Sequence, residues 1–219
     1  MIAPPASLEE LAARVRALEG LSLAELAARH DVSASGPMLR RKGSSGQLVE
    51  RALGANAGSR ALPDFVELGV ELKTIPVQPD GKPRESTFVC SFAVADADRA
   101  DWTTSAVRKK LAHVLFVPLV IERPQVTLGR AVFWRPTEEQ ESILRADFDD
   151  LIGMIALGRV DALTAHHGHW LQVRPKAAHG AVRTRAYGPD GEAIATIPKG
   201  FYLRARVTGA LLRDTRFSD

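Results

Sequence analysis

The order of elements along the chain predicts a mixed α/β fold. Three features carry that expectation: two Leu/Ala-rich segments at the start, each opened by Ser-x-x-Glu; a period-two stretch around residue 72; and an apolar run at residues 114–121 that precedes a long segment of helical spacing.

Ser7 with Glu10 and Ser22 with Glu25 read as capping boxes, so two short helices are expected, ending near Gly20 and His30. A loop at residues 33–37 follows, then the basic string Arg40-Arg41-Lys42-Gly43-Ser44-Ser45-Gly46. Residues 47–53 read as a helix closed by Gly54, with a loop at 55–63. Residues 70–75 alternate as a strand does, with Val70, Leu72 and Thr74 on one face and Glu71, Lys73 and Ile75 on the other. The turn Pro79-Asp80-Gly81 then leads to a second strand at 86–94, which predicts a hairpin. Residues 103–111 are expected to be helical, and 114–121 form an apolar run suited to a buried strand. Thr137 with Gln140 caps a helix running to about Leu157, with Phe148, Leu151, Ile152 and Ile155 at helical spacing. A short strand at 170–173, a turn at Pro189-Asp190-Gly191, and a strand then a helix over 201–212 complete the reading.

Composition excludes several classes. The chain has 219 residues, 45% of them hydrophobic and 25% charged, as in an ordinary globular protein. That length suits one domain, or one domain with two lobes. It has no apolar run of membrane-spanning length, and residues 1–6 lack the basic and apolar regions of a signal peptide. Its one cysteine, Cys90, excludes an intrachain disulfide and fits a reducing cytoplasm. The net charge of +3 permits a polyanionic partner without requiring one. There is no repeat and no Gly-rich loop of the Walker type, so any ATP hydrolysis belongs to a partner.

The chemistry concentrates at Asp64, Glu71 and Lys73. On a strand, Glu71 and Lys73 share a face about 7 Å apart, and the flexible Leu68-Gly69 lets the chain turn so that Asp64 swings back beside Glu71. Two carboxylates suit Mg²⁺, a hard cation that takes oxygen ligands and keeps waters and substrate phosphate in its remaining positions. Such an ion polarises a scissile phosphate and lowers the pKa of bound water, while a neighbouring lysine orients that water, helps deprotonate it, or stabilises the transition state. The spacing alone also fits an exposed ion pair on an edge strand with Asp64 in a turn.

Longer blocks of sequence are more specific. Asp64-Phe65 with Leu68-Gly69-Val70-Glu71-Leu72-Lys73-Thr74-Ile75-Pro76 closely resembles the MutH family, the methyl-directed strand-nicking endonucleases of bacterial mismatch repair. Further blocks agree in order and spacing: Lys42-Gly43-x-x-Gly46, Glu50, Leu53-Gly54-Ala55-x-Ala57-Gly58-Ser59, Thr87-Phe88-Val89-Cys90, Arg174-Pro175-Lys176-Ala177-Ala178 and Gly200-Phe201-Tyr202-Leu203. The likeness runs from about Leu8 to Leu212.

The resemblance implies a PD-(D/E)XK, restriction-endonuclease-like fold. In it a mixed central sheet is flanked by helices, and one domain over residues 1–219 forms N-terminal and C-terminal lobes around a DNA cleft. It implies nicking of the unmethylated strand of hemimethylated GATC, 5′ to the guanine. Asp64 and Glu71 would hold Mg²⁺, Lys73 would be the catalytic lysine, and Glu50 would match a further acidic residue of the site. Lys42, Gly43 and Lys110 match the DNA-lining surface, where lysines neutralise phosphates without reading sequence. Arg174 and Lys176 are suited to guanine O6 and N7, Tyr202 matches a position against the adenine N6 group, and Phe88 matches a DNA-facing aromatic. The implied partners are duplex DNA, a MutL-type ATPase that stimulates cutting and, indirectly, MutS, with the nuclease acting as a monomer in the cytoplasm.

Other readings compete with this one. A GATC-specific restriction endonuclease would cut both strands, and a non-catalytic DNA-binding protein would keep the surface without the chemistry. His166-His167-Gly168-His169 invites a metal reading, but no second Cys/His group lies nearby and a polar turn is expected. Relatives tend to carry Arg-His-Gly-Glu there and larger apolar residues at Ser44-Ser45. The segment 181–195 has no assigned role.

Overall fold

The structure, a computed structural model, describes residues 2–30, 43–58, 60, 62–164, 166–177 and 179–213. The loop expected at 33–37 and the basic residues Arg40, Arg41 and Lys42 lie outside them.

The chain folds as two compact units that interleave in sequence. The first takes the described residues of Met1–Glu85, Ala112–Arg135 and Thr208–Asp219, and the second takes Ser86–Leu111 and Pro136–Val207.

In the first unit, helices α1 (Leu8–Arg16), α2 (Leu23–Arg29) and α3 (Ser44–Leu53) precede strand β1 (Glu71–Val77). The N-caps are as expected, with a difference at the first. Ser22 and Glu25 form the full reciprocal box, whereas Glu10 takes the Ala6 N–H instead of that of Ser7. Gly54 ends α3 with φ of 83°, the left-handed C-cap that glycine adopts without a Cβ clash. β1 pairs in parallel with β3 (Val114–Glu122), which carries β4 (Gln125–Leu128) and β5 (Val132–Trp134) antiparallel to it. Val114 to Val117 are all fully buried, which explains the unbroken apolar run. Leu11, Leu26, Val49 and Leu53 from the helices pack with Leu72, Leu115 and Val117 from the sheet. Each such side chain contributes about 1.5–3 kcal/mol by leaving water.

In the second unit, β2 (Thr87–Ser91), β9 (Lys199–Leu203) and β6 (Leu171–Pro175) form an antiparallel sheet with β9 in the middle. Helix α5 (Glu138–Ala156), opened by the Thr137/Gln140 capping box, covers it through Phe148, whose ring stacks on Phe201 at 5.4 Å. β7 (Thr184–Tyr187) and β8 (Ala193–Thr196) make a hairpin out of the segment that had no role; α6 (Ala205–Arg213), which ends the described chain, starts in this unit and belongs to the first from Thr208 on.

Three expectations are corrected. The hairpin between β1 and the following strand does not form: the turn at 78–82 closes, but β2 pairs with β9. Pro76 and Pro83 have no N–H to give a ladder, and only an isolated Val77–Pro83 bridge remains. β2 also stops at Ser91, short of the expected 94, and gives way to a 3-10 segment at Val94–Arg99. The helix expected from 103 is a 3-10 turn at Trp102–Thr104, followed by α4 (Ala106–Leu111). Ser105 separates them, because its Oγ accepts the Arg108 N–H and caps a fresh start. No helix among the described residues is long and apolar enough to cross a membrane.

Candidate active site

A tight turn brings Asp64 to β1. Phe65 and Val70 exchange backbone hydrogen bonds across a 3-10 segment at Val66–Leu68, and Gly69 closes it with φ of 63°. Asn56 braces the entry, its Oδ1 taking the Val66 N–H while its own N–H donates to the Asp64 carbonyl. The Asp64 carboxylate therefore returns to the head of the strand, where Oδ2 accepts the Leu72 N–H at 2.8 Å.

Glu71 and Lys73 lie on the same face of β1, as the alternation required. Lys73 Nζ donates to Glu71 Oε1 at 2.6 Å, and the side chains are 15% and 4% exposed respectively. β1 does lie at an edge of its sheet, but burial removes the reading of an exposed surface pair. A buried ion pair repays little of its desolvation, so general stability does not explain it. The opposite face of β1 meets α3: a Cβ added to Gly46 would lie 3.4 Å from Thr74 Oγ1 and 3.9 Å from Glu50 Oε1. Glu50 thus stands half-buried on a helix packed against β1, with its carboxylate beside the Gly46 turn of α3.

The second unit gathers the aromatic and basic residues singled out from sequence. Strand pairing puts Phe88, Tyr202, Gln172 and Arg174 on one face of the sheet, with Phe88 opposite Tyr202 and Gln172 opposite Tyr202 on its other side. The Phe88 and Tyr202 rings meet edge to face at 5.3 Å. Lys176 Nζ sits 4.1 Å above the Phe88 ring and the Arg174 guanidinium 5.8 Å from the Tyr202 ring. Ser86 Oγ accepts from both Gln172 Nε2 and Arg174 Nη1. Gly200 leaves the room for this: a Cβ there would lie 2.9 Å from Phe88 Cε2 and 3.0 Å from the Cys90 carbonyl oxygen.

The remaining candidates are placed individually. Gly43 is the exposed N-cap of α3 with φ of 94°, and Lys110 is half-buried in the last turn of α4. Lys42 lies outside the described residues. Cys90 is buried in β2. His166 to His169 form a polar turn in which His167 Nδ1 accepts the Thr164 N–H, and no group of three or more His, Cys, Asp or Glu side chains placed to hold a metal exists among the described residues.

Sequence reasoning passed over two residues that hold these sites in place. Asp147, 2% exposed on α5, accepts the N–H groups of His169, Trp170 and Leu171, and so fixes the entry to the strand that carries Arg174. Only an acid interrupting the apolar face of α5 signalled it. His113, 7% exposed, accepts the Glu71 N–H at its backbone carbonyl, 2.9 Å away. Burial and the nearby Arg135 guanidinium push its imidazole down to about 4.

Paired carboxylates at the head of a strand, in a mixed sheet flanked by helices, are the mark of the restriction-endonuclease-like fold, and the protein is of the DNA endonuclease class. Residues 53–147 match the sequence model of the family described as DNA mismatch repair enzyme MutH. The chain is 44% identical over 214 residues to the DNA mismatch repair protein MutH of Yersinia enterocolitica, covering 96% of this chain and 94% of that one. Against the Shewanella amazonensis protein of the same name the figures are 45% over 215 residues, 96% of each chain, and against that of Shigella flexneri 45% over 216 residues, 97% and 94%. The chain belongs to the MutH family of mismatch repair endonucleases. Membership implies a divalent metal, DNA as substrate and mismatch repair proteins as partners. The donor set fits such an ion: Asp64 and Glu71 offer hard carboxylate oxygens, which suit an ion that takes its other positions from water and phosphate.

Proposed function

We propose that this protein nicks the unmethylated strand of hemimethylated GATC sites, 5′ to the guanine, with Asp64 and Glu71 holding Mg²⁺. The observation that carries the reading is the return of the Asp64 carboxylate to the Leu72 N–H, beside the buried Glu71–Lys73 pair. When bound, the metal supplies Lewis-acid activation of the scissile phosphate and of a water. The chain's own groups do the rest. The Leu72 N–H fixes the Asp64 carboxylate, and Lys73 places a cation where negative charge builds on the phosphoryl oxygens. Glu50 is included as a further carboxylate on the family resemblance, since it stands on α3 beside Thr74, on the other face of β1 from Glu71 and Lys73.

The second unit supplies recognition. Arg174 and Lys176 read guanine O6 and N7, and Tyr202, packed on Phe88, lies against the adenine N6 group and senses its methyl. Lys110, Lys42 and the amide of Gly43 hold phosphates. The enzyme acts as a cytoplasmic monomer on duplex DNA and is stimulated by a MutL-type ATPase after MutS has found a mismatch.

The test is a strand-resolved cleavage assay with Mg²⁺ on duplexes carrying one GATC site, unmethylated, hemimethylated or fully methylated, with and without the ATPase. Nicks confined to unmethylated strands and absent from Asp64→Ala support the assignment. Rapid double-strand cutting without a partner would make the protein a restriction enzyme, and no cutting even with the partner would remove the catalytic assignment.

A further inference from the structure

The first unit carries a groove whose lining residues, His113 apart, the site above does not use. It is a groove of about 460 Å³ between α1 and β5, a volume typical of ligand pockets. Val15, Ala131 and Phe133 give it apolar walls, and Arg16, Arg130 and Arg135 line it from three separate segments. None of these arginines forms an ion pair among the described residues, although Glu9 and Glu19 line the same groove. Arg135 Nη2 instead lies 3.1 Å from Nδ1 of the buried His113 ring.

Guanidiniums outside any ion pair along an apolar groove match an anion carried on an apolar body, because the planar fork grips an oxyanion through two parallel hydrogen bonds. The two acids select among such anions. A nucleic acid backbone would present successive phosphates to Glu9 and Glu19 as well as to the arginines, whereas a peptide can set one carboxylate against the arginines and an apolar side chain against Phe133. We propose that this groove is a docking site for a segment of a partner protein in which an apolar side chain adjoins an acidic one. Its position gives docking a route to the chemistry, since His113 lines the groove and its carbonyl holds the Glu71 N–H.

The test needs no cutting activity, so it is independent of the nicking assignment. The full chain, ¹⁵N-labelled, is titrated with N-acetyl-Phe-Asp-amide while the arginine Nε and His113 ring resonances are followed. Saturable shifts at Arg16, Arg130, Arg135 and His113 are expected. Binding should be at least about tenfold weaker for N-acetyl-Phe-Asn-amide and for the Arg130→Gln protein. Arg130 is exposed, so that variant keeps the fold. Absence of saturation, or equal binding of the Asn peptide, would overturn the proposal. Displacement of the dipeptide by a short DNA duplex from the Asp64→Ala protein would reassign the groove to nucleic acid.

Discussion

Asp64 Oδ2 and the Leu72 N–H are joined by a 2.8 Å hydrogen bond that spans the turn at 65–70. One contact thus holds a carboxylate from outside the strand against the peptide between Glu71 and Leu72, a structural task that the proposed mechanism joins to a chemical one.

Those tasks separate by substitution. Asp64→Asn keeps an oxygen for the Leu72 N–H and is expected to unfold within about 1 kcal/mol of wild type, whereas Asp64→Ala loses about 1–2 kcal/mol. Both should lose nicking by at least about 100-fold. Urea unfolding beside the GATC assay measures the pair; an Asn variant that still cuts at near wild-type rate would remove Asp64 from the metal site.

Lys73→Met takes the cation from a carboxylate that is only 4% exposed. A loss of about 3 kcal/mol is expected, and adding Glu71→Gln should recover at least about half of it, because the stranded charge goes too. A loss below about 1 kcal/mol would mean that the pair behaves as a surface pair.

Gly200→Ala tests the aromatic platform. The new Cβ would press on Phe88 Cε2 and on the Cys90 carbonyl, so the Phe88 ring and the Lys176 stem above it must shift. A stability cost of about 1–3 kcal/mol is expected. Binding to a GATC duplex should weaken more than the cutting rate at saturating DNA falls, which fluorescence anisotropy and single-turnover kinetics resolve.

His113 sets a pH dependence. Its pKa is about 4 in the fold and 6.5 when free, so the unfolded chain binds a proton between those values that the folded chain refuses. Stability from this group is complete above pH 6.5, declines as pH falls, and is lost by pH 4, up to about 3 kcal/mol in all. His113→Asn should abolish that component, and the stability gap between the two proteins should narrow from pH 7 to pH 4.5.

The placement of Asp64 beside the Glu71–Lys73 strand face was legible because its signals are local. Period-two spacing puts Glu71 with Lys73, and Leu68-Gly69 marks the turn that returns Asp64. Capping boxes and Gly54 marked the helix ends for the same reason, since each is satisfied within a few residues. Strands β4 and β5 escaped notice because four and three residues are too few to show a period. The partner of β2 escaped too, since β9 lies more than a hundred residues away and the turn at 79–81 pointed to β1.

By itself the sequence determined the mixed α/β class, the helix caps, the shared face of Glu71 and Lys73, and the family, all of which depend on residue identity at short spacing or on blocks in order. Tertiary structure alone decided that the Glu71–Lys73 pair is buried, that Phe88, Tyr202, Arg174 and Lys176 form one surface, and that Asp147 and His113 hold the flanking backbone. Those outcomes turn on which distant strands pair and on how much water packing excludes, and neither is written in any local run of residues.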